Sequence, residues 1–428
     1  MINAAGHLPA WVLTCLPVAL ARKLVQVKRI QPEKNTTATF EVKNQLLVDV
    51  SVVYQNDART GIQRVVRALL LQLLASPPQG YTVCPIFATR KQEYCYAQPN
   101  FLDGPKKALN STELDKPAPV HVKNGDLFLA LDLAAHLLPH HQSQILHWKR
   151  RGVRMHVVIY DLLPLQHPEW FNPKTTRNFK EWINWVARYA DHTVCISNTV
   201  QKELHIWLGK IYHDFRKTVS SSVIVLGADM AATAPSRGIP VEAKLLLTRI
   251  KNAQSVLMVG TLEPRKGYKA ALDAFEVLWK NSTKKPILII AGKKGWKTEE
   301  LQEKINNHPR NREHLFWIDS ASDEFLGLLY SNCSGVLVAS HAEGFGLPLI
   351  EAELYCKPVL ARNLPVFQEI SGMSTTFFNE SSTDDFSKSI AQWLDTLANP
   401  KEQTLNGNKN VYTWKESASQ LITNILTH

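Results

Sequence analysis

The sequence predicts an α/β fold made of two Rossmann-like domains, each a doubly wound parallel sheet covered by helices. Both halves of the chain repeat one order, in which an apolar strand is followed by a turn and an amphipathic helix. The length of 428 residues exceeds one ordinary core and fits two domains of about 200 residues each. The hydrophobic content of 45% is typical of a globular protein.

In the first half, apolar runs alternate with helical patterns. The first strand is predicted at residues 45–51 (QLLVDVS). A helix follows at 62–74, because apolar side chains recur at helical spacing, at Ile62, Val65, Val66, Leu69, Leu70 and Leu73. Further strands are predicted at 81–88, 127–131, 155–159 and 192–196, and further helices at 172–190 and 198–208.

The second half continues the alternation. Residues 255–260 (SVLMVG) have the pattern of a buried strand, and 268–279 that of the helix after it. Later strands are predicted at 286–291, 314–318 and 335–339, and later helices at 299–307, 324–330 and 348–355.

These elements divide the chain into four parts. Residues 1–43 form an N-terminal extension, 44–235 the first Rossmann-like domain, 236–411 the second, and 412–428 a final helix. The boundary between the domains is placed at 231–240, which are rich in Ala, Pro, Ser and Gly.

In the extension, the apolar run Leu8–Ala21 is shorter than the roughly 18 residues of a membrane-spanning helix and is interrupted by Pro17. It is either a weak interfacial anchor beside anionic lipid or a disordered or loosely packed segment, and the second interpretation is favoured.

Charge and cysteine content limit the possible functions. The formal net charge is +11 and the pI about 9.2, which favours attraction to polyanions or anionic lipid. However, the sequence contains no basic stripe interleaved with aromatic residues, which is the pattern that indicates nucleic-acid binding. The six cysteines form no Cys-x-x-Cys pair and no Cys/His cluster, so we expect reduced thiols in a cytosolic protein and no metal site.

The segment 343–351 (EGFGLPLIE) is the most informative motif. It follows an apolar run, turns at Gly344 and Gly346, and opens a helix, with Pro348 at the first helical position. Free N–H groups at such a helix end suit a phosphate. Glu351 is expected in the first turn and Glu343 before it. One of these carboxylates can then contact sugar hydroxyls of the ligand whose phosphate binds at the helix end.

A second motif, residues 260–267 (GTLEPRKG), places two cations in a loop after a strand. The fork of Arg265 and the point charge of Lys266 can neutralise a departing pyrophosphate. Residues 292–296 (GKKGW) form another basic loop, which either assists phosphate binding or is a charged surface turn.

In the first half, two positions are candidates. Gly61 lies at a strand–helix junction, where the backbone can approach a ligand closely. Asp161 follows a strand, at the edge where open α/β sheets place ligands, and is a candidate for catalysis or sugar contact.

From about residue 46 to its end, the chain resembles the retaining, nucleotide-sugar-dependent glycosyltransferases of family 4, which have the GT-B fold. Glu343 and Glu351 match that family's glutamate-x7-glutamate element, and Arg265 and Lys266 match its phosphate pair. Its donor-phosphate turn is matched by Ser340, Gly344, Phe345, Gly346 and Leu347. The stretch ending in Ser320 (IDS, 318–320) resembles the loop that holds the base.

The resemblance implies that the second domain binds a nucleotide-sugar donor and the first binds the acceptor, with reaction in the cleft between them. It implies no cofactor and no essential metal. It also implies that the helix 412–428 returns to the first domain. The segments 57–64 (DARTGIQR) and 292–296 look most like bacterial mannosyltransferases of O-antigen and exopolysaccharide assembly.

The expected donor is therefore GDP-mannose. The expected acceptor is a saccharide or polyprenyl-linked saccharide. We expect a cytoplasmic enzyme, peripheral at the inner membrane, with no nucleic-acid partner.

One residue departs from the family pattern. Many relatives have a histidine before the aspartate at the end of the first-domain strand, where this chain has Tyr160. A tyrosine hydroxyl can hydrogen-bond a sugar but cannot replace a cation.

Two alternatives remain open. One is a related enzyme with another donor, such as UDP-glucose, or a phosphorolytic relative. The other is a non-catalytic protein that binds a polyanion or membrane surface.

Overall fold

The computed structural model describes residues 8–26, 43–99, 101–103, 117–212, 219–229, 234–283, 285–398 and 411–428. These residues form two compact units. Unit 1 comprises the described residues up to Pro168, together with Asn172–Val225 and Trp414–His428. Unit 2 comprises Glu169–Phe171 and the described residues of Leu226–Thr413.

The strands described in unit 1 form a seven-stranded sheet of order β3-β2-β1-β4-β5-β6-β7. Neighbouring strands are parallel except for β2 and β3. The order changes direction between β1 and β4. The strands are β1 Asn44–Asp49, β2 Tyr81–Phe87, β3 Cys95–Tyr96, β4 Leu127–Ala130, β5 Arg154–Ile159, β6 His192–Cys195 and β7 Ser220–Val223.

Helices follow most strands of this sheet. They are α1 Ala10–Cys15, α2 Val18–Gln26, α3 Ser51–Gln55, α4 Gly61–Ala75, α5 Gln142–Arg150, α6 Leu163–Gln166, α7 Pro173–Tyr189 and α8 Asn198–Ile211. A capping box between Thr60 and Gln63 opens α4. Its apolar face is buried as its spacing predicts, at Val65, Val66, Leu69, Leu70 and Leu73.

Unit 2 contains a six-stranded, all-parallel sheet of order β10-β9-β8-β11-β12-β13 among the described residues. Its order changes direction between β8 and β11. The strands are β8 Ser255–Val259, β9 Ile287–Ala291, β10 Leu315–Ile318, β11 Gly335–Val338, β12 Val359–Arg362 and β13 Thr375–Phe378.

The helices of this part of the chain cover that sheet, except for the last, which belongs to unit 1. They are α9 Ala243–Lys251, α10 Tyr268–Asn281, α11 Glu299–Asn306, α12 Asp323–Asn332, α13 Leu347–Leu354, α14 Pro365–Ile370, α15 Thr383–Ala398 and α16 Trp414–Thr427. The core lies between the sheet and α10 and α15, where Phe378 stacks on Phe386 with ring centroids 4.4 Å apart.

The two parallel α/β sheets confirm the predicted fold class, and each predicted strand and helix named above has a counterpart in the structure. The units divide between Val225 and Leu226, earlier than the predicted boundary at residue 235. Linker residues pack with unit 2, because Ser236 N and Oγ each lie 2.7 Å from Asp323 Oδ2. The final helix, α16, contacts α4 and β6 of unit 1.

The favoured interpretation of residues 8–21 as disordered or loosely packed is wrong. Residues 10–26 form α1 and α2, which pack against α5 and α7 and bury Leu13 and Val25. The rest of the predicted extension, residues 1–7 and 27–42, lies outside the described residues.

Candidate active site

Two loops leave the sheet of unit 2 where its strand order changes direction. Parallel strands end at one edge of a sheet. Open α/β sheets bind ligands at that edge, at the point where the strand order changes direction, which we call the strand-order break. The first loop follows β8 and the second follows β11. Their backbones touch, because His341 N donates to Arg265 O at 2.7 Å. Gly267 has a φ of 70°, and a Cβ there would lie 2.2 Å from Ala339 O, so this close approach requires glycine.

The touching loops bring together two cations and two carboxylates. Glu343 accepts from both cations, with Oε1 2.5 Å from Lys266 Nζ and Oε2 2.6 Å from Arg265 Nη1. Arg265 Nε also donates to Glu263 Oε2 at 2.7 Å. Ser340 Oγ completes the cluster by donating to Glu343 Oε1 at 2.8 Å. The structure thus joins four of the predicted site residues and adds Glu263.

The electrostatics of this cluster keep Glu343 ionised. Burial raises the pKa of Glu343, but Arg265, Lys266 and the Ser340 hydroxyl outweigh that effect and lower it to about 2. The side chains of Arg265 and Lys266 are only 15% and 13% exposed. A phosphate entering here would therefore meet cations that are already oriented and mostly desolvated.

The glycine-rich turn after Glu343 includes a residue with left-handed backbone. Gly346 has a φ of 117°, and a Cβ there would lie 2.7 Å from the Phe367 ring. Gly344 and Phe345 are buried, and α13 begins at Leu347. Pro348 is therefore the second helical residue rather than the first.

Glu351 lies in the second turn of α13, so its predicted place in the first turn is wrong. Its side chain is buried, with 1% exposed, and Oε2 accepts from the Tyr330 hydroxyl at 2.8 Å. Its predicted contact with ribose stays a prediction.

The loop after β9 (292–298) packs on the cationic loop. A Cβ at Gly292 would lie 1.8 Å from Gly260 O, and Leu262 N donates to Lys293 O at 3.0 Å. Thr298 Oγ1 donates to Leu262 O at 3.2 Å. The second basic loop therefore supports the position of the first. Ser320, after β10, is exposed, and its hydroxyl donates to Asp319 at 3.1 Å.

The candidates of the first half lie in unit 1. Asp161 follows β5, and its Oδ1 accepts from Leu163 N at 3.1 Å. Gly61 is the first residue of α4, and no atom lies within 4 Å of a Cβ built there. Tyr160 is buried, and its hydroxyl donates to Leu131 O at 2.7 Å. In the described conformation this hydroxyl is therefore engaged by the main chain.

Sequence reasoning missed two buried carboxylates at the strand-order break of unit 1. Asp49 ends β1 and accepts from Ser51 Oγ at 2.5 Å and from the Tyr94 hydroxyl at 2.9 Å. Asp132 follows β4, and its Oδ2 accepts from Val52 N and Val53 N, both at 2.8 Å. A lone aspartate inside the apolar run 46–50 was the available signal.

Burial raises the pKa of both carboxylates. It raises that of Asp49 to about 6, and burial together with the negative charge of Asp49 raises that of Asp132 to about 7. This pair therefore takes up a proton far more readily than an exposed aspartate does.

Within the described ranges, no three or more His, Cys, Asp and Glu side chains are grouped so that they could hold a metal ion. No helix in the same ranges is long and apolar enough to cross a membrane.

The structure therefore combines two α/β sheets with a cation–carboxylate cluster where the strand order of the second sheet changes direction. Residues 247–410 match the family model described as glycosyl transferases group 1. This part of the chain is a glycosyl transferases group 1 domain, and the chain has the GT-B fold of solved glycosyltransferases.

Three known proteins illustrate the likeness. The chain is 39% identical to the serotype-specific mannosyltransferase WbdA of Escherichia coli, over 89% of this chain and 45% of WbdA. It is 26% identical to the O-antigen chain mannosyltransferase B of Escherichia coli, over 48% of this chain and 53% of that protein.

Among solved structures, HepE of Anabaena in complex with UDP and glucose has a TM-score of 0.54 at 18% identity, over 90% of this chain and 96% of that one. The chain spans less than half the length of WbdA.

Proposed function

We propose that this chain is a glycosyltransferase that moves mannose from GDP-mannose, with retention, onto a saccharide or lipid-linked saccharide in surface polysaccharide synthesis. The observation that carries the proposal is the cluster in which Glu343 holds Arg265 and Lys266 beside the turn that opens α13. The similarity to WbdA and to an O-antigen mannosyltransferase supports mannose as the sugar.

In this mechanism, the bond between the sugar and the β-phosphate loosens and negative charge builds on the diphosphate. Arg265, Lys266 and the N–H groups at the start of α13 stabilise that charge, which lowers the barrier. The acceptor hydroxyl attacks from the face that the diphosphate leaves, and its proton passes to the departing phosphate oxygen. Asp161 is proposed to contact the acceptor or the transferred sugar, and Gly61 to let the backbone approach it.

Glu343 has a second role in this proposal. As the donor binds, its phosphates replace the carboxylate as partner of the two cations, and Glu343 is then available to orient the hydroxyls of the donor sugar. Because Ser340 donates to the same carboxylate, it limits where Glu343 can move. Glu351 is proposed to contact the ribose, and Ser320 to lie beside the base.

The reaction needs no metal cofactor in this proposal. The Arg265 guanidinium and the Lys266 ammonium neutralise the charge on the diphosphate that a metal ion otherwise neutralises. We also propose that the enzyme works on the cytoplasmic side of the inner membrane and takes no nucleic-acid partner.

The proposal is tested with a donor panel. The purified chain is incubated with GDP-mannose, UDP-glucose and other nucleotide sugars, each with bacterial lipid extract. The products are identified by mass spectrometry, and their anomeric configuration is determined by NMR spectroscopy. UDP-glucose is the main competitor because HepE was solved with UDP and glucose. A hexose added only from GDP-mannose, with the anomeric configuration kept, supports the proposal. Transfer from UDP-glucose alone contradicts it.

A further inference from the structure

The loop between β8 and α10 carries an acidic residue, Glu263, to which the proposed mechanism assigns no role. Its side chain is 11% exposed, and that of its partner Arg265 is 15% exposed. Removing both charges from water costs free energy that their attraction only roughly balances. Stability alone is therefore a weak reason for this ion pair.

Arg265 uses different nitrogen atoms for its two carboxylates. Nε donates to Glu263 Oε2 at 2.7 Å. On the other edge of the guanidinium, Nη1 donates to Glu343 Oε2 at 2.6 Å and to Ala342 O at 3.3 Å. Because the guanidinium is planar and its N–H groups point in fixed directions, a carboxylate on the Nε edge also determines where the Nη nitrogen atoms point.

The two carboxylates differ in how they are attached to Arg265. Glu263 is two residues away in the same tight turn, whereas Glu343 belongs to the loop after β11. The turn is closed by Lys266 N, which donates to Glu263 O at 3.0 Å, and it begins with Pro264, whose ring fixes φ. A movement of Glu343 therefore leaves the ion pair between Glu263 and Arg265 in place.

We propose that Glu263 is a positioning residue, which holds Arg265 by its Nε edge while a diphosphate replaces Glu343 on the other edge. The guanidinium then does not have to be oriented when the donor binds, so the entropy cost of binding is reduced. This inference rests on the proposed function, because the phosphates of the donor must enter the cluster.

The charge of Glu263 acts in the opposite direction. A carboxylate beside the phosphate site repels a bound anion, so its charge alone lowers the affinity for a diphosphate. Only the fixed geometry of its contact with Nε can therefore favour phosphate binding. Because charge and geometry have effects of opposite sign, two substitutions at this position separate them.

The experiment measures the affinity of the full chain for GDP divided by its affinity for GMP, by calorimetry. This ratio reports the contribution of the β-phosphate. Glu263→Asp keeps the charge but withdraws the carboxylate by one methylene, and we expect the ratio to fall about tenfold. Glu263→Gln keeps the length and an acceptor oxygen but loses the charge, and we expect the ratio not to fall. General damage to the fold would instead weaken GMP and GDP alike.

Arg265→Lys tests whether Glu263 acts through the guanidinium. A lysine has no second edge for a carboxylate to hold. In that background, Glu263→Asp should therefore change the ratio by less than about twofold. The matched control is Glu276→Asp in the same unit, since Glu276 is 38% exposed and pairs with Lys304 at the surface. We expect the control to keep the ratio of the unaltered chain, and unfolding temperatures show that each variant is folded.

Four results overturn the inference. They are an unchanged ratio in folded Glu263→Asp, an equal fall in Glu263→Gln, the same fall in the Arg265→Lys background, or no binding of any nucleoside diphosphate. UDP and UMP are measured in parallel. A chain that binds only the uridine nucleotides contradicts the proposed donor and still tests Glu263 with that pair. A chain that shows the expected ratios but transfers no sugar contradicts only the proposed function.

Discussion

Both sheets change strand order between two neighbouring parallel strands, and both place charged side chains where those strands end. In unit 2, Glu343 is shared by Arg265 and Lys266, and its pKa is lowered to about 2. In unit 1, Asp49 and Asp132 lie buried near each other, and burial raises their pKa values to about 6 and about 7.

A strand-order break therefore gives a sheet a place for a ligand, but the signs of the charges decide which ligand can bind there. The unit 2 cluster can exchange a carboxylate for a phosphate without leaving a cation unpaired. The unit 1 pair accepts hydrogen bonds from a hydroxyl, a phenol and main-chain N–H groups, and most of these donors lie in the first turn of α3. We assign the donor to the first site and a structural role to the second.

The largest effect is expected from the unit 2 cations. Lys266→Ala should cut turnover on GDP-mannose about a hundredfold, roughly 3 kcal/mol, because one of the two charges that stabilise the leaving diphosphate is lost. Lys269→Ala is the matched control, since that lysine is 77% exposed and makes only a surface pair with Asp273. Near-normal turnover of a folded Lys266→Ala variant refutes the assignment.

A smaller effect is expected from Glu351, in the second turn of α13. Glu351→Gln should weaken GDP binding about tenfold in calorimetry, because a charged acceptor for the ribose hydroxyls becomes neutral. Tyr330→Phe removes the hydroxyl that Glu351 already binds and should change the affinity less. Equal affinities for Glu351→Gln and the unaltered chain rule out the ribose role.

Sequence reasoning located the fold and the cluster because both depend on local patterns. Apolar periodicity fixed the strands before Arg265 and Glu343, and parallel strands that end at one edge bring such loops together. Sequence reasoning did not show that Glu343 binds both cations. Lys266 and Glu343 are separated by 77 residues, and this separation does not reveal how close the two side chains lie in space. The same reasoning misplaced Glu351, because the first turn of α13 begins at Leu347.

Helices α1 and α2 were missed because their stability also depends on residues distant in the sequence. These short helices have no strong local signal, and they are stabilised by Arg150 and Arg188, which come more than a hundred residues later. The sequence likewise does not show that the Tyr160 hydroxyl donates to the main chain of Leu131, because that partner follows a different strand.

The smallest effect is expected from the unit 1 pair and concerns stability. Because folding raises the pKa of Asp49 and Asp132, their contribution to stability is complete below about pH 4. It is lost as the pH rises through the folded values of about 6 and about 7. The unfolding temperature should therefore fall by a few degrees between pH 5 and pH 8.

Asp132→Asn is the variant that isolates this effect. It cannot ionise, so its unfolding temperature should fall less over the same pH range. A fall as steep as that of the unaltered chain contradicts the assignment of the pH dependence to this pair.

A crystal structure of the chain with GDP bound tests the central claim most directly. We predict that the phosphates lie within hydrogen-bond distance of Lys266 Nζ and the Arg265 guanidinium, at the start of α13, and that Glu343 has left at least one of these cations. A nucleotide bound elsewhere, with both cations still paired to Glu343, would contradict the account.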